Sequence, residues 1–173
     1  MRALQGGKTA ALEILFLRHH PRIHGFLARL TCDRDAADDL VQEVFLRVLK
    51  YRARYDTSRD FVAWLFRIAR NLAASHFARH RRDSADDPAD WADNNPSTLD
   101  LLIAGEDHQQ LARAVAALPF AHREVLLLRG TEGLSHRDVA LALGCSEGAA
   151  RVRLHRALSA LKRKWSALAG ESR

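Results

Sequence analysis

The residues best spaced for metal chemistry are histidines. His20 and His24 stand four apart, as do His76 and His80, the spacing at which two imidazoles on one helix face reach the same ion. Pro21 disturbs the first pair. The second lies in the run Arg79-His-Arg-Arg82, which suits phosphate better than a cation. A metal-dependent hydrolase would also need a run such as His-Glu-x-x-His, coupling ligands to a general base, and none is present. Cys32 and Cys145 lie far apart without a CxxC partner, so neither a disulfide framework nor a cysteine-rich zinc site is implied. The chain is expected to need no metal or cofactor and to be no enzyme.

Arginines point to a different chemistry, the recognition of a polyanion. The formal net charge is +6 and the pI near 10.0, a balance that favours nucleic acid as partner. From Asp83 to Asp107 there are eight acidic residues and no Lys or Arg, so the rest of the chain carries +14 against the total of +6. Two basic bodies joined by an acidic connector is an unusual layout for one domain. Near the C-terminus Gly148, Arg151, Val152, His155, Ser159 and Lys162 share one side of a helical wheel, with Arg156 at its edge. Arginine can bond guanine edges or phosphate, and valine can touch a thymine methyl. Gly148 and Ala149, just after the cap Ser146, would let the helix N-terminus approach the duplex closely, with the helix dipole favouring a phosphate.

The elements that must position these groups are all helical, since apolar residues recur at three and four and sustained alternation is absent. A first helix is read over Thr9–Thr31, with Pro21 marking a bend or break. A second follows Asp33 or Asp35 as cap and runs to about Arg54, its stripe being Leu40, Val41, Val44, Phe45, Val48 and Leu49. Residues 55–60 form a polar loop, and a third helix runs from Asp60 to about Arg82. Phe66 and Phe77 lie off its core face beside Arg67, Arg70 and Asn71; they fit either stacking on single-stranded bases or packing on the first helix. Residues 83–96 have the composition of a flexible linker. Further helices are read over Leu99–Leu118, Ala121–Arg129, Ser135–Leu143 and Ser146–Leu168. Ser135 as cap, Asp138 three residues on, a Leu134–Val139 staple and Gly144 as left-handed stop make a helix-turn-helix. Leu158 is placed on the inward side of its last helix with Ala150, Leu154, Ala157, Leu161 and Trp165. On the second helix Asp39, Gln42, Glu43 and Leu46 form an exposed acidic face, which by itself reads most simply as solvated.

Asp38-Asp-Leu-Val-Gln-Glu-Val-Phe-Leu-Arg47 and Phe61-Val-Ala-Trp-Leu-Phe-Arg-Ile-Ala-Arg-Asn71 resemble region 2 of extracytoplasmic-function (ECF) sigma factors. Leu118-Pro-Phe-Ala-His-Arg-Glu-Val-Leu-Leu-Leu-Arg129, the segment 133–142 and the run from Gly144 to Leu158 resemble their region 4. The resemblance implies an all-α chain of two small helical domains, region 2 over 8–82 and region 4 over 105–173, joined by a flexible acidic linker at 83–104. It implies a non-enzymatic subunit of RNA polymerase that recognises promoter DNA and helps open it. Asp38, Asp39, Gln42, Glu43 and Leu46 would bind the clamp helices of the largest polymerase subunit, and region 4 would meet the polymerase flap. Tyr55 and the loop to Asp60, with Asn71, would capture flipped-out bases of the −10 element, while Trp64, Arg67 and Arg70 would sit near the point of strand separation. Ser146, Gly148, Arg151, Val152, His155 and Arg156 would read the −35 duplex. An anti-sigma factor is a further implied partner. Val152 stands where small polar residues are frequent in that family, and the stretch before Ala10 is short for it. No apolar run is long enough to span a bilayer and no secretory leader is evident, so the chain is expected in the cytoplasm without a membrane partner.

Overall fold

In the computed structural model, residues 1–83 and 106–171 are described, and every regular element among them is helical. The acidic connector and the helix start read near Leu99 lie outside the described residues. The N-terminal half holds α1 (Arg2–Gln5), α2 (Ala10–Thr31), α3 (Arg34–Tyr51), a 3-10 turn (Arg52–Arg54) and α4 (Phe61–Asp83). The C-terminal half holds α5 (Glu106–Ala116), α6 (Phe120–Leu126), α7 (His136–Leu143) and α8 (Glu147–Glu171).

The helix starts follow side-chain oxygens placed to accept otherwise unpaired backbone donors. The Asp33 carboxylate accepts from the Ala36 N–H at 3.0 Å and opens α3, and Asp60 accepts from Ala63 at 2.9 Å in the first turn of α4. Between α2 and α3 the chain turns through Cys32, whose φ of 60° is left-handed. Such a conformation is costly for a residue with a Cβ, and Thr31 steadies it by donating its hydroxyl to the Leu27 carbonyl at 2.8 Å. Of the bend or break expected at Pro21, the break does not occur. The helix runs unbroken from Ala10 to Thr31. Proline removes one donor to the carbonyl four residues back; here that is Leu17, which is exposed, so water can replace the bond.

Ile23, Phe26, Leu27 and Leu30 of α2 meet Val41, Val44 and Val48 of α3 and Leu65, Phe66 and Ala69 of α4, all buried. Phe66 is fully buried, edge-on to Phe26 with ring centroids 5.0 Å apart, and the Arg22 guanidinium lies over its ring, 5.2 Å from the centroid. Phe77 lies 5.3 Å from the Phe120 ring of α6. Both phenylalanines are therefore packing residues here, one against the first long helix as the sequence allowed and one against the other half of the chain.

Leu4 of α1 is completely buried, and the Gln5 amide donates to the carbonyls of Arg52 and Tyr55 at 2.9 and 2.7 Å. The segment before residue 8 thus packs against the N-terminal half. The expected cost of Leu4→Ala is about 2–5 kcal/mol, the range for an emptied leucine site in a core. Chemical denaturation should show it as a lower midpoint; an unchanged midpoint would mean that α1 is not part of the core.

Candidate nucleic-acid interface

The C-terminal helix-turn-helix is built as its sequence requires. The Ser135 side chain accepts from the Asp138 N–H at 3.1 Å, and its hydroxyl donates to the Asp138 carboxylate at 2.6 Å. Asp138 therefore stabilises the cap by holding the serine rather than by accepting from the cap's backbone N–H, as a full capping box would. Gly144 stops α7 with φ 66°, where any side chain would be strained. Ser146 then accepts from the Ala149 N–H at 3.2 Å to start α8.

On α8 the buried side is Ala150, Ala157 and Ala160, with Leu154 and Leu161 half-buried. Leu158 is 50 % exposed, which corrects its inward placement. Ala160, one helical step from Ala157, takes that part of the seam. Small alanines at this seam let α8 lie close to its neighbours. On the outer side Ser146, Gly148, Arg151, Val152, His155 and Arg156 are all exposed, as is Arg153, which the sequence reading did not single out. Arg151 donates to Glu147 one turn back at 2.6 Å. The arrangement is a basic, solvent-facing strip with one apolar member, Val152, at 50 % exposure.

The acidic face of α3 is also presented as expected. Asp38, Asp39 and Gln42 are exposed and Leu46 projects with 60 % exposure, while Glu43 is half-buried and accepts from Arg47 at 2.8 Å. Asp38 is paired with His24 of α2 at 3.1 Å.

The third group is less open. Arg67 and Asn71 are exposed and Trp64 is half-buried. Tyr55 is buried: its ring lies 4.9 Å from Trp64 and 5.9 Å from Phe61, and its hydroxyl donates to the Arg59 carbonyl. Burial, followed by the nearby Asp60 and Asp56, pushes that phenol above its ordinary value. Tyr55 thus pins the loop 55–60 instead of offering a free ring. Arg70 reaches the Glu124 carboxylate of α6 with two donors, at 2.7 and 3.2 Å, and its third nitrogen donates to the Asn71 side chain at 3.2 Å.

Sequence reasoning missed the groups that join the halves. Glu124 is 2 % exposed and Glu132 is 7 % exposed. Glu132 accepts from Arg22 at 2.8 Å and from Arg29 at 3.2 Å. Arg123 donates to the Leu30 carbonyl at 2.9 Å, closing the C-terminal end of α2 from the other half, and also to the Leu118 carbonyl and the Cys32 sulfur. A signal was available in part: Arg123 and Glu124 sit beside the unbroken apolar run Val125–Leu128, where charged groups are buried only with partners. Among the described residues no group of histidine, cysteine and carboxylate side chains could hold a metal, and no helix is long and apolar enough to cross a membrane.

Comparison with known proteins agrees with this architecture. The Sigma-70 region 2 family matches residues 15–83, and the Sigma-70, region 4 family matches residues 108–161. The chain is 37 % identical to the RNA polymerase sigma factor CarQ of Myxococcus xanthus, over 94 % of this chain and 93 % of that one. It is 35 % identical to the ECF RNA polymerase sigma factor EcfG of Rhodopseudomonas palustris, over 88 % and 84 %. Among solved structures it resembles the sigma factor RpoE of Bartonella quintana in complex with the anti-sigma factor NepR, with TM-score 0.70, 25 % identity and coverage of 89 % and 96 %. It also resembles CnrH in complex with the cytosolic domain of CnrY, with TM-score 0.71, 25 % identity and coverage of 96 % and 94 %. With both regions present in order and whole-chain relatives of this kind, the protein belongs to the sigma-70 family as an ECF-type RNA polymerase sigma factor, a non-catalytic subunit of transcription initiation.

Proposed function

We propose that three surfaces of this sigma factor divide promoter recognition among them. The face of Asp38, Asp39, Gln42, Glu43 and Leu46 docks on the clamp helices of the largest polymerase subunit. Its exposed carboxylates suit basic helices, and the projecting leucine supplies an apolar anchor at the centre of the contact. Ser146, Gly148, Arg151, Val152, His155 and Arg156 read the −35 duplex in its major groove, while the rest of region 4 meets the polymerase flap. The loop 55–60, shaped by Tyr55, together with Trp64, Arg67, Arg70 and Asn71 in the first half of α4, holds the single-stranded −10 element. The observation that carries this reading is the separation of charge between exposed faces: acidic on α3, basic on α8.

Opening needs no covalent chemistry. Extruding a base costs a few kcal/mol of stacking and pairing. Contacts available only to the open strand offset that cost, so the sigma factor shifts an equilibrium that thermal motion already samples. Residues 83–104, acidic and without Lys or Arg, would pass toward the polymerase active centre and RNA exit path, partly imitating nucleic acid. Transcription takes place in the cytoplasm, where we place the protein. Of the solved structures it resembles, one was captured with the anti-sigma factor NepR and another with the cytosolic domain of CnrY; the first supports control of this chain by an anti-sigma factor.

Transcription by core polymerase from a promoter library, with and without the chain, tests the whole reading; identical transcripts in both would reject it. For the −35 surface, Arg151→Ala should weaken binding by ~1–3 kcal/mol at one base position if the side chain contacts a base edge. A promoter panel in which no position changes would remove that role. For the clamp surface, Asp39→Lys with Glu43→Lys should abolish co-purification with core polymerase while circular dichroism shows the helices intact. Retained co-purification would remove the assignment.

A further inference from the structure

The promoter-reading surfaces do not account for α1. A helix of four residues cannot hold itself together in water, so its order comes from what it packs on. Leu4 is completely buried. Gly7, with φ 86°, takes the left-handed turn that brings the chain round into α2, a conformation open to glycine at no steric cost. With Leu4 seated, the next side chain, Gln5, meets both ends of the 3-10 turn Arg52–Arg54. A carboxamide carries two N–H donors on one nitrogen. Gln5 directs them to the backbone carbonyls of Arg52, at 2.9 Å, and Tyr55, at 2.7 Å.

We infer that Gln5 is a positioning residue for base recognition: through it, α1 sets the angle at which the loop 55–60 meets the unpaired strand. The inference rests on the proposal that this loop reads the −10 element. The loop is a preformed unit. The Asp56 carboxylate accepts from the Ser58 N–H at 3.0 Å, the Ser58 hydroxyl at 2.7 Å and Arg59 at 3.2 Å. The Arg59 N–H bonds the Asp56 carbonyl at 3.0 Å. The exit is tied by Asp60, which accepts from Ala63 and starts α4. The entry is the peptide between Tyr55 and Asp56, where the backbone leaves the 3-10 turn at ψ 123°. The Tyr55 carbonyl belongs to that planar group, so the donor that holds the oxygen also holds the peptide plane.

The other anchors at Tyr55 act elsewhere. Its ring packs on Trp64 and Phe61 and its hydroxyl donates to the Arg59 carbonyl. These contacts fix the side chain and the far end of the loop, and leave rotation about the backbone bond into Asp56 open. A buried carbonyl that loses its donor costs free energy until it turns to water. Without the Gln5 amide the Tyr55 carbonyl would turn that way, and the turn 56–59 would swing with it. The exposed side chains of Thr57 and Ser58 would then address a base from many angles instead of one. A loop already held in its binding shape does not have to be ordered by the ligand, so more of each contact appears as affinity. Gln5 itself touches no base and acts through the loop.

Core polymerase carrying the full chain tests this by its base preferences, read from transcription of two promoter libraries, one randomised at −10 and one at −35. Gln5→Met removes both donors at nearly constant volume, and Gln5→Glu sets acceptor oxygens against the two carbonyls. Each should flatten the −10 preferences, by about fivefold for Met, the worth of one net hydrogen bond, and by more for Glu. The −35 preferences should stay as in the parent. Ile23→Val, at a fully buried site of α2, lowers stability without touching the loop and should leave both sets of preferences alone. Circular dichroism should show parental helix in all three. Unchanged −10 preferences in the Gln5 variants, or an equal flattening by Ile23→Val, would overturn the inference. A parallel arm, Thr57→Ala with Asn71→Ala, separates the two possible failures. If the −10 preferences ignore it, the −10 assignment is wrong and the inference falls with it. If they respond while the Gln5 variants match the parent, the loop reads bases and Gln5 only supports the fold.

Discussion

A carboxylate withdrawn from water must find its hydration again in cations and hydrogen bonds, and Glu124 sets that requirement for this chain. It is 2 % exposed, and its water is replaced by the fork of Arg70, two parallel donors from a helix in the other half. Bidentate pairs of this kind are both stronger and more directional than single bonds. The apolar run after Glu124 is non-selective by comparison, since hydrophobic burial rewards area and not orientation. The ion pair ties α6 to α4 at a set point; Val125, Leu127 and Leu128 are buried beside it.

Glu132 repeats the device further along the chain, and the backbone between the two is adapted to it. After α6 the chain winds through a π-helical segment, Leu127–Thr131, and the Glu132 N–H bonds the Leu127 carbonyl at 2.9 Å. Wider turns of this sort shift the angular position of the downstream residues relative to a regular helix. Here they return a carboxylate toward Arg22 and Arg29 of α2. The same arginine that packs over Phe66 thus also holds Glu132, linking the interior of the N-terminal half to the boundary between halves.

Much of the helical layout was legible from local chemistry. Asp33, Ser135 and Ser146 each sit where a side-chain oxygen meets the first unpaired N–H groups of a helix, and each caps as its type predicts. The buried stripe of α3 keeps a period that no distant residue needs to explain. Pro21 left a bend or a break open, because a missing donor is costly only when the orphaned carbonyl is dry, and neighbouring exposure is a property of the fold. Leu158 misled because two adjacent inward positions competed, and packing of small alanines decided between them. The candidate strand-binding surface was the hardest to read. Whether Phe77 faces solvent depends on Phe120, and whether Arg70 is free depends on Glu124, 54 residues away in sequence. No periodicity reports a partner at that separation. Tyr55 was read for its ring, while its position is governed by Trp64, Phe61 and a carbonyl four residues on.

The link between Arg151 and Glu147 has a consequence of its own. A guanidinium carries five N–H donors, and one of them is engaged by the acid a turn earlier on α8. The others remain available, and their direction is no longer arbitrary. An exposed pair of this type is worth under about 1 kcal/mol, so it yields easily to a better acceptor. Until then it restricts a long, mobile side chain to fewer rotamers. Part of the entropy that such a side chain would forfeit on meeting a rigid acceptor has been surrendered beforehand.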